Sequence, residues 1–559
     1  MRGAPPGPSP FQGHGPRVCL FSCGMRALRT AIGGWAWMVA GGVGLFAQED
    51  SSIPTVRSAP FVEEVALALD SAGRAIGQPP AYGVVLAVED RNNAGRNGTG
   101  TGRVRICSDG ALAVEPFLVD VRLGPGERLV MRDAGTLDVV VGIDRTEVPA
   151  SGRVALPRAF GPCCIVEIVG ALQGAPTGTF TVAEVGHTFR EGSWQKADPC
   201  EVDVNCAEGL AYADQRDAVV RVAVRANGAL IWCSGTLMNN TAQDCRPFIL
   251  TALHCGLNST ASDLQDYKFY FGYQRTGCGS GPADQTKYIT GCHRRADSND
   301  GGLNGSDFLL LEAYTSVPVG FDPFWAGWDA SSAPSGSGVT IHHPAGSEKK
   351  VSTYAMNILT SQWIVGGPYS HWFVKWTGTA NGHGVTEPGS SGAPLLDAFG
   401  RVIGTLSGGT SCCVADGCGL PGSGPDQPDY YGKMSFHWTQ NPNTAAQKLK
   451  AWLDPLDLGV LALDGSRSPC AIGIAELTAE DLQVHPVPAH DRLVVEWEGP
   501  DEAADLVLWS VTGQPVRRVR IRSGEAMEVG DLPAGSYVLT RTGATGGRAS
   551  QRVILVGMP

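Results

Sequence analysis

The chain has 559 residues, 74 of them Gly and 37 Pro, with 43% hydrophobic and 18% charged residues. It is too long for one domain and too apolar to be disordered, and its formal charge of −12 argues against nucleic-acid binding through a global basic field. The arginines of "RRVRIRSG" alternate with apolar residues, as on the wet face of a strand, so no polyanionic partner is implied.

The chain opens on an export pattern: after Met25 come "RALR", the apolar "AIGGWAWMVAGGVGLFA" and the small residue Ala47 before "QED". Residues 1–47 are expected to be a signal peptide, with Met25 as an alternative true start. The apolar run is short and Gly-rich, and no later segment approaches the ~20 apolar residues a span needs. Export also accounts for the 16 cysteines, most of them between Cys200 and Cys418, as disulfides of an oxidising compartment. Spacing alone leaves their pairing open.

From 48 to 196, runs such as "FLVDVRL", "RLVMRD", "LDVVVGI" and "CCIVEIVGAL" alternate with Gly/Pro/Asp turns and predict one β domain. Its "GTGTG" at 98–102 lacks the strand-then-helix setting of a dinucleotide loop and reads as a flexible turn, with no ligand.

A new pattern runs from Cys200 to about 462. "AVVRVAVRANGALIWCSGTLM" predicts strand, Asn227-Gly228 turn, strand. Further strands are expected at "DYKFYFGYQ", "DFLLLEAY", "VTIHH", "WFVKW", "APLLD" and "RVIGTLSGG", and one helix at "TAAQKLKAWLDP". Many short strands before a single terminal helix suggest a β-barrel domain. From 471 to 559, "DRLVVEW", "ADLVLWSVTG", "RVRIRS", "GSYVLTRT" and "QRVILVG" have the spacing of a small β-sandwich.

Within the barrel pattern, "GVTEPGSSGAPLLD" sets two serines in a Gly/Pro turn that runs into an apolar strand. A plain surface turn would use the same residues. The sharper reading makes Ser391 a nucleophile on a turn whose amides, those of Gly389 and Ser391, form an oxyanion pocket. A serine needs a base, and the candidates include His254, His342, His343, His371 and His383. His254 ends the buried strand of "FILTALHC", where a satisfied structural histidine is the competing reading. The carboxylate that holds the imidazole is best supplied by Asp307, at the mouth of the apolar strand in "GSDFLLLE". The acidic "DSNDGGLNGSD" invites a calcium-loop reading, but its Gly is out of register and a turn-rich loop is expected instead. No metal and no cofactor is called for.

"TALHC", "SDFLLLE" and "GSSGAP" resemble the trypsin-like serine endopeptidases. "CEVDVNCAEG", "CSGTLMNNTA", "FWAGWD", "IHHPAGSEKKVS" and "GVTEPGSSGAP" resemble one branch of them, the secreted bacterial lysyl endopeptidases, over about 197–462. The resemblance implies a trypsin-like double β-barrel with His254 as general acid/base, Asp307 as its orienting carboxylate, Ser391 as nucleophile, and the backbone of Gly389 and Ser391 as oxyanion hole. It also implies the disulfides Cys200–Cys413, Cys206–Cys278 and Cys233–Cys255; the adjacent Cys412 and Cys413 could exchange roles. Cys245 with Cys292 and Cys412 with Cys418 are guesses.

Further expectations come from the same likeness. Ser390 stands where ordinary trypsins carry an Asp that pairs with a freed N-terminus, so activation by N-terminal insertion is not expected. The family's pocket carboxylate matches Asp429 in "PDQPDYYGK", with Asp426 as a rival. The family stacks a Trp on a His beside the triad; Trp363 matches the Trp, while the His position is Ser407, which leaves the reaction type intact but puts rate and pH profile in question. The C-terminal unit, with "VHPVPAHDRLVVEW", "LWSVTGQPV" and "LPAGSYVL", resembles the sorting domain of type IX secretion cargo, and a carbohydrate-binding or adhesive sandwich has the same pattern.

The combined reading is mostly β: signal peptide (1–47), β-rich pro-region (48–196), trypsin-like protease (197–462) and C-terminal β-sandwich (471–559). It predicts a secreted or cell-surface enzyme that cuts proteins after Lys. Lys196 in "WQKADPC" offers a self-processing site before Ala197. The alternatives are a broader Lys/Arg protease and an inactive protease-like adhesin. Expected partners are protein substrates and secretion machinery, with no nucleic acid and no membrane span in the mature protein.

Overall fold

The computed structural model describes residues 53–75, 77–89, 102–170, 177–190, 196–301, 304–417, 421–472, 482–497, 503–510, 515–542 and 548–556. The expected signal peptide, residues 1–47, and nearly all of "GTGTG" lie outside them. No helix among the described residues is long and apolar enough to cross a membrane.

The chain is mostly β, as its strand-forming runs require. One N-terminal element was not legible in the sequence: the helix Glu63–Arg74. Glu63 and Glu64 in its first turn and Arg74 in its last suit the helix dipole. Only Ala66 and Asp70 of it are buried, so no broad apolar stripe advertised it.

The four predicted runs of this region join further strands, which were not predicted, in two sheets. One is five-stranded, with the order Thr55–Arg57, Arg103–Cys107, Cys163–Val169, Arg128–Asp133, Val139–Asp144. The other strands, Ala81–Ala87, Ala113–Arg122 and Thr179–Thr188, enter a twelve-stranded sheet that continues past residue 196. The join is made by Ala229, Leu230 and Ile231, which pair with Val84, Gly83 and Ala81. Tyr82 stacks on Trp232 with centroids 4.5 Å apart. Lys268 donates to Glu115 at 2.7 Å in a fully buried ion pair. Arg225 is clamped between Glu184 and Asp266, each at 2.7 Å. Tyr82, Phe117, Val185, Leu230, Trp232 and Tyr270 thus belong to a single apolar core spanning both regions.

The hairpin expectation is met. Val219–Ala226 pairs with Ala229–Met238 across Asn227 (φ 50°) and Gly228 (φ 79°), both in the left-handed region that a two-residue turn demands. Phe248–Ala252 pairs with the far end of Ala229–Met238 and with Phe308–Ala313. A ten-stranded second sheet contains Gly338–His342, Lys350–Tyr354, His371–Val374, Pro394–Asp397, Val402–Gly409 and Asp429–Lys433. The predicted helix at "TAAQKLKAWLDP" is broken: a 3-10 turn, Ala445–Gln447, and a short helix, Lys450–Leu453, are separated by Lys448 in extended conformation. The Trp452 indole N–H donates to the Ala446 carbonyl, an acceptor that a continuous helix would give to the amide of residue 450, while Leu449 and Leu453 remain buried in the core. Towards the C-terminus, a three-stranded and a four-stranded sheet enclose Leu493, Leu506, Leu539 and Val553.

Disulfides join Cys200–Cys413, Cys206–Cys278 and Cys233–Cys255, and also Cys107–Cys163. The guess of Cys245 with Cys292 is wrong. Cys245 is bonded to Cys470, beyond the ten-stranded sheet, and Cys292 is a free buried thiol directed at the Leu264 carbonyl, 3.6 Å away. Cys418 lies outside the described residues.

Candidate active site

His254 leaves the strand Phe248–Ala252 on a one-turn helix, Leu253–Gly256, held by the Cys233–Cys255 bridge to the strand beside it. Asp307 precedes the neighbouring strand Phe308–Ala313 and adopts φ 55°. Its carboxylate accepts twice from one residue: from the His254 backbone N–H at 2.9 Å on Oδ1, and from Nδ1–H at 2.7 Å on Oδ2. This fixes the Nδ1–H tautomer and turns Nε2 outward as a proton acceptor. Nε2 is buried and has no hydrogen-bond partner among the described residues. Burial pushes the Asp307 carboxyl up, while the imidazole beside it pulls the other way.

Ser391 reaches the same place through two glycines. Gly392 (φ 82°) lies so close to the strand that leads to His254 that an added Cβ would come 2.2 Å from Thr251 Oγ1 and 2.7 Å from the Ala252 nitrogen. Gly389 (φ 103°) is pressed equally onto Gly346 and His343. Ser234 ties the turn down: its N–H donates to the Ser391 carbonyl at 2.8 Å and its hydroxyl to the Gly389 carbonyl at 3.0 Å. The amides of Gly389 and Ser391 donate to no acceptor among the described residues. No hydrogen bond joins Ser391 Oγ to His254 Nε2; in unliganded sites such bonds are often long. Ser390, where an Asp would stand in ordinary trypsins, is hydrogen-bonded to His342 Nδ1 at 2.7 Å.

Asp429 and its rival Asp426 occupy opposite environments. Asp429 is buried; its Oδ2 accepts from Trp376 Nε1 (2.6 Å), Thr386 Oγ1 (2.8 Å) and Ser411 Oγ (2.6 Å). Its pKa is raised by burial, against which these donors act. No ion pair to a cation is formed among the described residues. Asp426 is 87% exposed and faces His383 Nε2 at 3.5 Å. Gly409 passes directly over Asp429: a Cβ there would meet Oδ1 at 2.0 Å.

Trp363 does have an imidazole beside it, though from an unexpected strand. His371 stacks on its ring, centroids 5.8 Å apart at 26°, and His371 Nε2 is hydrogen-bonded to Ser407 Oγ at 3.0 Å. Burial lowers the His371 pKa to about 3, so the ring is neutral. The remaining histidines weighed as bases, His342 and His343, are buried with lowered pKa values, and His383 carries a 3.1 Å contact to its neighbour's carbonyl. The residues that sequence reasoning missed, Ser234, Trp376, Thr386 and Ser411, act on the site from other strands and loops and carry no local signal. Lys196 is exposed, with Ala197 partly buried beside it.

Residues 194–432 match the family model "Lysyl endopeptidase, C-terminal domain". The chain is also 33% identical over 267 residues to a lysyl endopeptidase of Pseudomonas aeruginosa, a match that covers 45% of this chain and 52% of the relative. The chain therefore spans about half the length of the curated relative it matches. Among solved structures it is similar to the thermostable serine protease AL20 from an extremophilic microorganism (13% identity, 40% of this chain and 93% of that one, TM-score 0.28). It is likewise similar to the secreted serine protease VesC from Vibrio cholerae (11% identity, 61% and 69%, TM-score 0.26).

Proposed function

We propose that the chain is an exported serine endopeptidase that hydrolyses peptide bonds on the carboxyl side of Lys through His254, Asp307 and Ser391. The observation that carries this reading is the buried His254–Asp307 couple with its unpartnered Nε2, set beside a serine on a turn with two free amides. His254 Nε2 takes the Ser391 proton as Oγ attacks the carbonyl carbon, and the oxyanion forms against the amides of Gly389 and Ser391. The imidazolium, stabilised by Asp307, then protonates the leaving amine. Water hydrolyses the acyl-enzyme by the same route in reverse.

Asp429 is the proposed partner of the substrate ammonium: a buried carboxylate without its own cation favours a compact ammonium over a wide guanidinium. In the full reading, residues 48–196 are a pro-region released by cleavage between Lys196 and Ala197, and 471–559 engage secretion machinery. The test is Ser391→Ala. In a related triad enzyme such a loss reaches roughly 10⁶ in turnover. The folded variant should neither cleave Lys peptides nor react with a serine-directed reagent; retained hydrolysis sinks the assignment, and an unreactive wild-type protein favours the inactive adhesin.

A further inference from the structure

Behind the nucleophile turn lies a second polar chain that the proposed catalysis does not use. Ser390 Oγ is bonded to His342 Nδ1 and also accepts from the Glu387 N–H at 3.2 Å. His342 Nε2 lies 3.5 Å from Glu201 Oε2. The Glu201 side chain is wholly buried, and among the described residues no cation pairs with it: besides the neutral His342 it meets the Glu387 carboxyl and the Val385 N–H. Such a group is costly without a compensating cation. Burial, and then the neighbouring Glu387, hold its pKa well above the ordinary range; burial pushes Glu387 itself up to about 7. The other charged groups here are Asp198, Asp429 and Lys350, and the Lys350 ammonium is turned to Asp203, 3.7 Å away.

The segment beside these carboxyls is the one that maturation would free. The Asp198 N–H donates to Glu387 Oε1 at 3.0 Å. Asp198 is two residues beyond Lys196, so the nitrogen of Ala197 is one residue, about 3.8 Å of chain, from an amide already on Glu387. The chain just beyond it is anchored: Cys200 is bonded to Cys413, its carbonyl accepts from Gly384 N–H at 3.0 Å, and Val202 and Asp203 pair with Val351 and Lys350. A metal is a poor occupant, because the third donor near Asp198 and Glu387 is Cys413, whose sulfur is spent in the disulfide.

We propose that Glu201 and Glu387 form a seat for the α-ammonium of Ala197, and that filling it fixes the 387–391 turn bearing the nucleophile and oxyanion amides. This rests on the maturation step proposed above. Hydrolysis adds water across the Lys196–Ala197 bond, leaving a carboxylate on Lys196 and an amine on Ala197 that takes up a proton near neutral pH. The new cation sits against carboxyls with which no cation of the described residues forms an ion pair, and through Glu387 and His342 the effect reaches Ser390. This proposal revises the expectation drawn from Ser390, that a freed N-terminus plays no part in activation: Glu201 and Glu387 serve where the Asp beside the nucleophile is missing.

The test separates the seat from the enzyme's own activity. In a full-length Ser391→Ala chain, residues 192–195 are replaced by four aspartates, so that an exogenous protease reading that sequence cuts after Lys196 and frees Ala197. The Ala197 amine is then titrated with acetic anhydride at pH 7 and quantified by mass spectrometry. Labelling at least about tenfold slower than in the same protein unfolded in denaturant is expected, with the protection lost in Glu387→Gln; tenfold corresponds to one unit in the amine's pKa. Equal labelling folded and unfolded overturns the seat, and so does protection that survives in both Glu387→Gln and Glu201→Gln. In the unblocked chain, Glu387→Gln should lower kcat about tenfold with KM little changed; an unaltered kcat overturns the link to the turn. Fully active secreted protein still joined at Lys196–Ala197 would overturn the maturation reading instead.

Discussion

Trp363 and His371 stack face to face, and the imidazole passes the contact on to Ser407 through its Nε2. The resemblance implies a ring pair at Trp363 and residue 407; the imidazole beside Trp363 comes instead from a strand two away in the sheet order from the one that carries Ser407. His371→Ala removes the stack and the only partner of the Ser407 hydroxyl among the described residues. A loss of about tenfold in kcat/KM on Lys peptides is expected, in line with about 1.4 kcal/mol of positioning energy, and steady-state kinetics on matched peptides checks it. Ser407→His in the His371→Ala background should recover part of it.

The two pocket candidates separate cleanly. Asp429→Asn should lower kcat/KM for Lys peptides by about 10²–10³ while leaving the reaction of Ser391 with a small serine-directed reagent unchanged, because truncating a buried charge partner costs about 2–5 kcal/mol. Asp426→Asn, at an exposed carboxylate, should behave like the parent. Assays on Lys, Arg and Leu peptides decide: the reverse pattern assigns the pocket to Asp426, and no effect from either removes the lysyl preference.

Acid stability should follow the buried imidazoles. The pKa values of His342 and His371 are depressed to about 3 by burial, against about 6.5 when unfolded. The unfolded chain therefore binds protons that the native one refuses, so the stabilisation is complete above about pH 6.5 and is lost as pH falls towards 3. Denaturant midpoints measured from pH 7 to 4 should fall, and fall less steeply in His371→Gln.

Gly392→Ala tests what brings the serine to the histidine. The positive φ alone costs about 1–2 kcal/mol, and the methyl group would collide with Thr251 Oγ1. Lower thermal stability and a larger loss in kcat than in KM are expected, with partial relief from Thr251→Ala, which removes the colliding oxygen.

Glu115→Gln leaves the Lys268 ammonium buried without a counter-charge, and a loss of about 3–5 kcal/mol is expected. Replacing both by apolar residues of similar size should be far milder. Thermal unfolding of the uncut chain reads the difference, and a cost for Glu115→Gln below 1 kcal/mol would contradict the burial of the pair.

What could be read from the sequence was local. His254, Asp307 and Ser391 stand at strand edges beside apolar runs, and Asn227-Gly228 announces its own turn. What was hidden is long-range. Residue 196 reads as a boundary between β units, yet Ala81–Ala87 pairs with Ala229–Ile231 across it, and nothing within either strand announces the partner. Cysteine spacing carried no information about Cys245 and Cys470, which are 225 residues apart. The helix at 445–454 failed because Lys448 turns extended and the Ala446 carbonyl is taken by the Trp452 indole, a side-chain bond that apolar spacing does not announce.

The Cys245–Cys470 bond gives the C-terminal unit two attachments to the protease region, one through the backbone and one through sulfur. Between them runs a strap pinned by reciprocal bonds between Ser466 and Trp325 and by Arg467 on Asp214 and Asp217. A cut after Arg467 would split the chain on a reducing gel and leave its migration nearly unchanged on a non-reducing one. A cut beyond Cys470 would release the sandwich under both conditions. The position of the disulfide thus decides whether trimming at this strap is shedding or merely a nick.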